Sequence, residues 1–258
     1  MPKARPAKRR RLKSAGRGVG FLHRLLASPE PRRPLVSLAF LAPALAVYTA
    51  GLVWVRPDLA SAADLLLRDA LSHLRVTGMG APPLLVVVVL MGWHLVRRDP
   101  WRFPPRVLAA MLVETILLLV PLVALRGVFR AIGAAAAALA MGPPAGPVWL
   151  EAVMKSIGTG VYEELLFRLA LVGGLLLACR AVLGSQGKGA ALAAVLIAAA
   201  LFAGAHTLYA PQTFTWPTFL FRTGAGIYLG YVFARRGFGI AAGVHIAYNL
   251  LVKLLSLS

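Results

Sequence analysis

The sequence runs to 258 residues, of which 59% are hydrophobic and only 14% charged, with a formal net charge of +19. A soluble domain carries about a quarter charged residues, so this chain is read as a membrane protein, in which each charge at mid-bilayer costs roughly 2.5–3.5 kcal/mol. The cation excess does not indicate nucleic acid: 11 of the 28 Lys and Arg residues lie before Pro34, with no stacking aromatics interleaved among them.

Residues 1–33 form a basic tail rich in Pro, Gly and Ser without apolar periodicity, which predicts disorder. Its expected role is a positive-inside anchor touching anionic lipid headgroups. It does not read as a cleaved signal peptide, because the apolar run that follows is long enough to stay as a helix. Residues 34–258 read as one helical membrane domain. A first span is expected over 35–55. Residues 57–75 place Leu59, Leu66, Ala70 and Leu74 on one helical face, which predicts an amphipathic helix lying at the interface. A second span over 82–97 leads into the basic loop 97–106, where Trp101 and Phe103 sit at headgroup level, and a third covers 106–126. The Ala-rich stretch 128–142 is too short to assign, and Pro143, Pro144 and Pro147 interrupt the chain after it. A new helix is expected to start after Gly158-Thr159-Gly160, with Thr159 as its N-cap, and to run to about 183. Helices over 189–208, 213–234 and 237–256 complete an all-α, polytopic membrane helical bundle of seven or eight transmembrane helices. There is no internal repeat. The lone cysteine, Cys179, excludes an internal disulfide and reads as a buried structural thiol.

The polar residues inside these spans carry the information, because ionisable groups in the bilayer are costly and default to function. In Tyr162-Glu163-Glu164-Leu165-Leu166-Phe167-Arg168, Glu164 and Arg168 have the i, i+4 spacing of a helical ion pair. Glu163 then points about 100° away and lacks a local counter-ion, which suits a group that must exchange protons as a general base. A purely structural ion cluster is the competing reading. His206 ends the stretch FAGAH, and His245 and Asn249, one turn apart, share a face in HIAYN. Gly226 and Gly230 form a GxxxG step that lets helices approach closely. Arg222 is expected to meet Glu114, the lone acid of the third span.

EELLFR, FAGAH and HIAYN resemble the three motifs EExxxR, FxxxH and HxxxN of the CAAX-protease and bacteriocin-processing family of intramembrane glutamic endopeptidases. The resemblance covers about residues 150–256. It implies hydrolysis of a peptide bond in a membrane-associated protein or peptide. Glu163 would activate water, supported by Glu164 and Arg168, with His206 and His245 opposite and Asn249 as a donor to the oxyanion. No cofactor is expected. The alternative is zinc held by Glu163, His206 and His245, although HExxH is absent. The competing functions are a non-catalytic membrane scaffold or bacteriocin self-immunity protein, and an ion or proton transporter using the same acids. Ala-, Leu- and Arg-rich usage indicates a GC-rich bacterium, so the expected location is the inner (cytoplasmic) membrane. Facing depends on helix count. Seven spans place Glu163 toward the non-cytoplasmic side, and eight place it toward the cytoplasm, as in the prenyl-protein proteases the chain resembles.

Overall fold

A computed structural model describes residues 28–133, 148–184, 187–209 and 214–255, and every regular element among them is helical. In chain order these are α1 (Pro34–Ala50), α2 (Ala62–His73), α3 (Ala81–Arg97), α4 (Pro105–Gly133), α5 (Val148–Glu164), α6 (Gly173–Leu183), α7 (Lys188–Tyr209), α8 (Trp216–Arg236) and α9 (Phe238–Leu255). A π-helical turn, Gly51–Val55, extends α1, and a π-helical stretch, Leu165–Val172, joins α5 to α6 in one continuous rod. Proline falls in the first turn of α1, α3 and α8, where its missing N–H costs no helical bond. The hydroxyl of Ser61 caps α2 by accepting from the amide of Asp64 at 3.2 Å.

Among the described residues, five helices are long and apolar enough to cross a membrane: Pro34–Val55, Pro105–Phe129, Trp149–Val182, Gly189–His206 and Phe238–Leu255. Ala81–Arg97 is apolar but shorter, and α8, with Arg222 inside it, runs antiparallel to α7. The chain is an all-α, multi-pass membrane protein. The basic tail up to residue 27 and the greater part of the Ala-rich stretch lie outside the described residues, whereas 128–133 continue α4.

Two ends of the bundle can be defined by contact. At the proximal end α1 begins, α8 ends and α9 begins: Arg236 Nη1 donates to the carbonyl of Ser28 at 2.9 Å, and the amide of Gly239 donates to Ser37 Oγ at 3.0 Å. At the distal end α4 finishes beside the start of α8, with the Phe129 and Phe221 rings 6.2 Å apart. The segment from Arg56 to Gly80, including α2, connects α1 to α3 at this distal end.

Four expectations are corrected. Glu114 pairs with Arg236, not Arg222, with Nη2 2.8 Å from its Oε2; Arg222 lies about four turns away along α8, toward the distal end. The buried face of α2 is Ala63, Asp64 and Leu67, while Leu74 is exposed. Asp64 is drawn inward by partners no helical wheel reveals: the Tyr48 hydroxyl donates to it at 2.6 Å, and Arg68 binds it bidentately at 2.8 and 2.9 Å. Thr159 caps nothing, because α5 runs straight through it. The flanking glycines serve contact instead. A Cβ on Gly158 would fall 2.7 Å from the Tyr48 and Ser61 oxygens, and one on Gly160 would fall 2.7 Å from the backbone nitrogen of Ile246 in α9. Cys179 is free but only half-buried.

Candidate active site

α5 delivers two adjacent carboxylates into the bundle, and Gly160 lets it lie close enough to α9 for those carboxylates to reach His245. Glu164 is fully buried. Its Oε1 accepts from His245 Nδ1 at 2.8 Å and lies 3.0 Å from Arg168 Nη1. Arg168 Nη2 donates to the carbonyl of Gly226 on α8 at 3.3 Å, and its guanidinium sits over the Phe202 ring of α7, 4.6 Å from the centroid. One guanidinium therefore ties the π-helical stretch to α7 and α8, and through Glu164 to α9. A buried charge needs a partner of this kind, and Glu164 Oε2 is buried beside it without a hydrogen bond. The Gly226 and Gly230 step permits it by bringing α8 against α7: added Cβ atoms would meet Ala199 at 3.0 Å and Val195 at 2.9 Å.

Glu163 points to the other side. Its Oε1 is 3.6 Å from His206 Nε2 and its Oε2 is 3.7 Å from His245 Nε2, both too long for direct hydrogen bonds. The proton positions on the two rings follow from their outer nitrogens. His206 Nδ1 is 2.9 Å from the carbonyl oxygen of Phe202, which can only accept, so Nδ1 carries the hydrogen. His245 Nδ1 likewise donates to Glu164, a carboxylate beside Arg168. In the neutral rings both Nε2 atoms are then bare acceptors. Two lone pairs and a carboxylate converge on one space, where a water molecule could donate one hydrogen to Glu163 and the other to one of the two imidazoles.

That space opens to a cleft of about 70 Å³ lined by Ala62, Ala63 and Leu66 of α2, Leu166 and Phe167 of the π-helical stretch, and Ala205 of α7, with Glu163 and His206 at its polar corner. It has room for a few water molecules and is otherwise apolar. His206 is the most exposed member of the group, and Glu164 and Arg168 are sealed behind it.

The structure brings Glu163, Glu164, Arg168, His206 and His245 into one cluster. Asn249 stands one turn beyond His245 on α9, half-buried and outside that web of contacts among the described residues. The eight-residue distance of His245 from the start of α9 does not separate it from the others, because α9 begins sunk in the bundle: Phe238 through His245 are all buried. Glu163, His206 and His245, the donors of the zinc alternative, face one another, yet no group of three His, Cys, Asp or Glu residues among those described is arranged to hold a metal ion.

Sequence reasoning missed three contributors. Phe202 packs edge-on to His206 at 4.8 Å and contacts His245 at 6.1 Å while carrying Arg168 on its face. Its place at the head of FAGAH was the available signal. The Gly226 carbonyl and the α2 wall had none.

Residues 145–251 match the family model described as type II CAAX prenyl endopeptidase, Rce1-like. No curated protein and no solved structure matches the chain. The matched stretch contains every member of the polar cluster and Asn249. The family points to CAAX-type intramembrane protease activity, which implies a membrane-associated protein as substrate. Over residues 145–251, the part of the chain that builds the buried carboxylate–histidine cluster, this multi-pass helical membrane protein is similar to the Rce1-like type II CAAX prenyl endopeptidases.

Proposed function

We propose that this chain is an intramembrane endopeptidase of the bacterial inner membrane in which Glu163 activates the attacking water. The observation that carries the reading is the convergence of Glu163 with two imidazole Nε2 atoms at 3.6 and 3.7 Å beside an apolar cleft. A water held there gives one proton to Glu163 as its oxygen forms a bond to the scissile carbonyl carbon. General-base assistance of this kind is typically worth about 10²–10⁴ in rate. The tetrahedral oxyanion then needs a donor. Asn249 is assigned that role, which is worth about 10²–10³, and it requires a small movement of α9 or of the carboxamide once substrate is present. Collapse of the intermediate breaks the C–N bond, and the proton taken up by Glu163 passes to the departing amine.

Glu164 acts at one remove. It fixes the His245 tautomer through Nδ1, and Arg168 lies 3.0 Å from the same oxygen, so the pair positions the imidazole without touching the reacting atoms. His206 is held in the same tautomeric sense by the Phe202 carbonyl. This scheme uses no metal, and Glu163 needs none to take a proton. The basic tail is assigned to anionic headgroups, without a nucleic-acid partner.

The test is Glu163→Gln, which keeps shape and removes the base. Cleavage of the natural substrate, followed by the uncleaved precursor in membranes, is expected to fall at least about 10²-fold with the protein's abundance unchanged. Full-rate cleavage by the variant overturns the reading, and loss of abundance in place of activity favours a scaffold. Running the wild-type assay with a membrane-permeable chelator separates the mechanisms: activity lost and restored by zinc replaces the metal-free scheme.

A further inference from the structure

One wall of the cleft beside Glu163 comes from outside the stretch that matches the family model. That stretch begins at residue 145, whereas Ala62, Ala63 and Leu66 of the wall belong to α2, in the N-terminal half of the chain.

α2 is anchored by charge as well as by its apolar face. Ala63 and Leu67 are buried, but Leu65 is exposed, and between Ala63 and Leu66 stands Asp64, wholly enclosed. Tyr48 of α1 donates to Asp64 Oδ2 at 2.6 Å, Arg68 Nε and Nη2 reach its two oxygens at 2.8 and 2.9 Å, and the backbone amide of Ser61 donates to the Tyr48 hydroxyl at 3.1 Å. Asp64 also lies in the first turn of α2, with its own amide capped by Ser61 Oγ, where the helix dipole favours an anion. A buried carboxylate is costly unless it is paired. Satisfying this one ties the first turn of α2 to α1.

The same tyrosine stands behind the base. Its ring meets that of Tyr162, the residue before Glu163, edge-on at 5.7 Å. One turn earlier in α5, a Cβ on Gly158 would fall 2.7 Å from the Tyr48 hydroxyl. Tyr48 therefore sets the spacing between the turn of α5 that carries Glu163 and the turn of α2 that walls the cleft.

A peptide has one apolar place to go at this site. Toward α9, Glu164 and Arg168 are sealed, and Phe238 through His245 are buried. Substrate then reaches Glu163 from the side of α2 and the last turns of α7. With its carbonyl carbon over the water at Glu163, a side chain flanking the scissile bond falls into the cleft. The space is about 70 Å³, roughly twice the volume one water takes up in the liquid. It admits a side chain of the size of alanine to valine and stops leucine or phenylalanine at Ala62 and Leu66.

We infer that α2 is the substrate-selecting wall of this site: Ala62 and Leu66 limit the side chain next to the scissile bond to a short apolar one, and Tyr48 and Asp64 are the positioning residues that hold the wall in place. This role for α2 rests on the protease reading.

Membranes of a strain producing Glu163→Gln, in which precursors stay uncleaved, are solubilised in detergent and mixed with purified full-length wild type or variant, and the new termini are sequenced by mass spectrometry. Ala62→Leu narrows the cleft from an exposed position and Leu66→Ala widens it from a half-buried one, so neither replaces a core residue. Ala62→Leu is expected to slow cleavage beside valine-sized side chains at least about 10-fold relative to cleavage beside glycine or alanine. Leu66→Ala is expected to add cleavage beside leucine or phenylalanine. Loss of stability does not move two variants in opposite directions of size. Unchanged flanking residues in both variants, with wild type active, overturn the inference alone; wild type that yields no new termini overturns the protease reading and this role with it. Tyr48→Phe keeps the ring on Tyr162 and removes the hydroxyl. On a synthetic peptide copying the strongest cleavage point so found, it is expected to raise KM about two- to tenfold with kcat within about twofold of wild type, and a fall in kcat at unchanged KM overturns the positioning role.

Discussion

Adjacent residues on a helix point about 100° apart, and that angle gives Glu163 and Glu164 different environments. Glu164 is directed at a guanidinium and an imidazole N–H, both within 3.0 Å, and is wholly enclosed. Glu163 is directed at two bare nitrogens and a cleft. Exchanging either for its amide should therefore have separable effects. Glu164→Gln leaves the Arg168 charge, only 2% exposed, without a counter-charge. Breaking a buried pair from one side costs about 3–5 kcal/mol, so Glu164→Gln should lower the thermal midpoint in detergent clearly as well as slow cleavage. Glu163→Gln should slow cleavage and leave the midpoint within measurement of wild type. A Glu164→Gln protein that melts like wild type would show that the pair does not brace the bundle.

Between elements, closeness is set by residues that have no side chain. His245 reaches the carboxylates because α5 and α9 touch at Gly160, where even a methyl group would press on the Ile246 backbone. Gly160→Ala should push the two helices apart by a fraction of an ångström to an ångström. A displacement of that size between reacting groups can cost about 10² in rate, so activity should fall about 10²-fold with a far smaller loss of abundance, and a variant cleaving at the wild-type rate would remove this contact from the mechanism. The same glycines mark where sequence reading reached its limit. Apolar runs located most of the helices to within a few residues, although the third span runs on to Gly133 and α5 begins at Val148 instead of after Gly160, and the acids, arginine and histidines of three short motifs meet in one cluster. Periodicity states which residues share a face but not what that face meets. Gly158-Thr159-Gly160 therefore looked like a helix start when it is a contact seam. The helix after residue 57 was turned by its leucines toward Leu66 and Leu74, when Asp64, enclosed by Tyr48 and Arg68, lies on its buried face. Glu114 was matched with Arg222 by scarcity of charge, when the fold places Arg236 against it. The π-helical stretch after Glu164 left no mark in the periodicity at all.

At the scale of the whole molecule, the proximal end functions as a closed cap and the distal end as the working mouth. The cap depends on a single ion pair that joins residues 122 apart in sequence: Arg236 at the end of α8 donates to Glu114 of α4 through Nε and Nη2, and its Nη1 reaches the Ser28 carbonyl ahead of α1. Both side chains are largely buried, at 8% and 13% exposed, so the attraction is little screened by water or salt. Glu114→Gln removes the acid and leaves the guanidinium with only the Ser28 carbonyl and an amide oxygen. The expected loss is about 3 kcal/mol, read as a lower thermal midpoint in detergent. Glu114→Gln with Arg236→Gln should recover part of it, because no uncompensated charge then remains. The cap is remote from Glu163, so cleavage measured well below the midpoint should stay within about twofold of wild type for both proteins. A single variant as stable as wild type would mean that lipid-facing packing alone closes this end. A stable protein with lost cleavage would mean instead that the cap communicates with His245 through the buried first turns of α9.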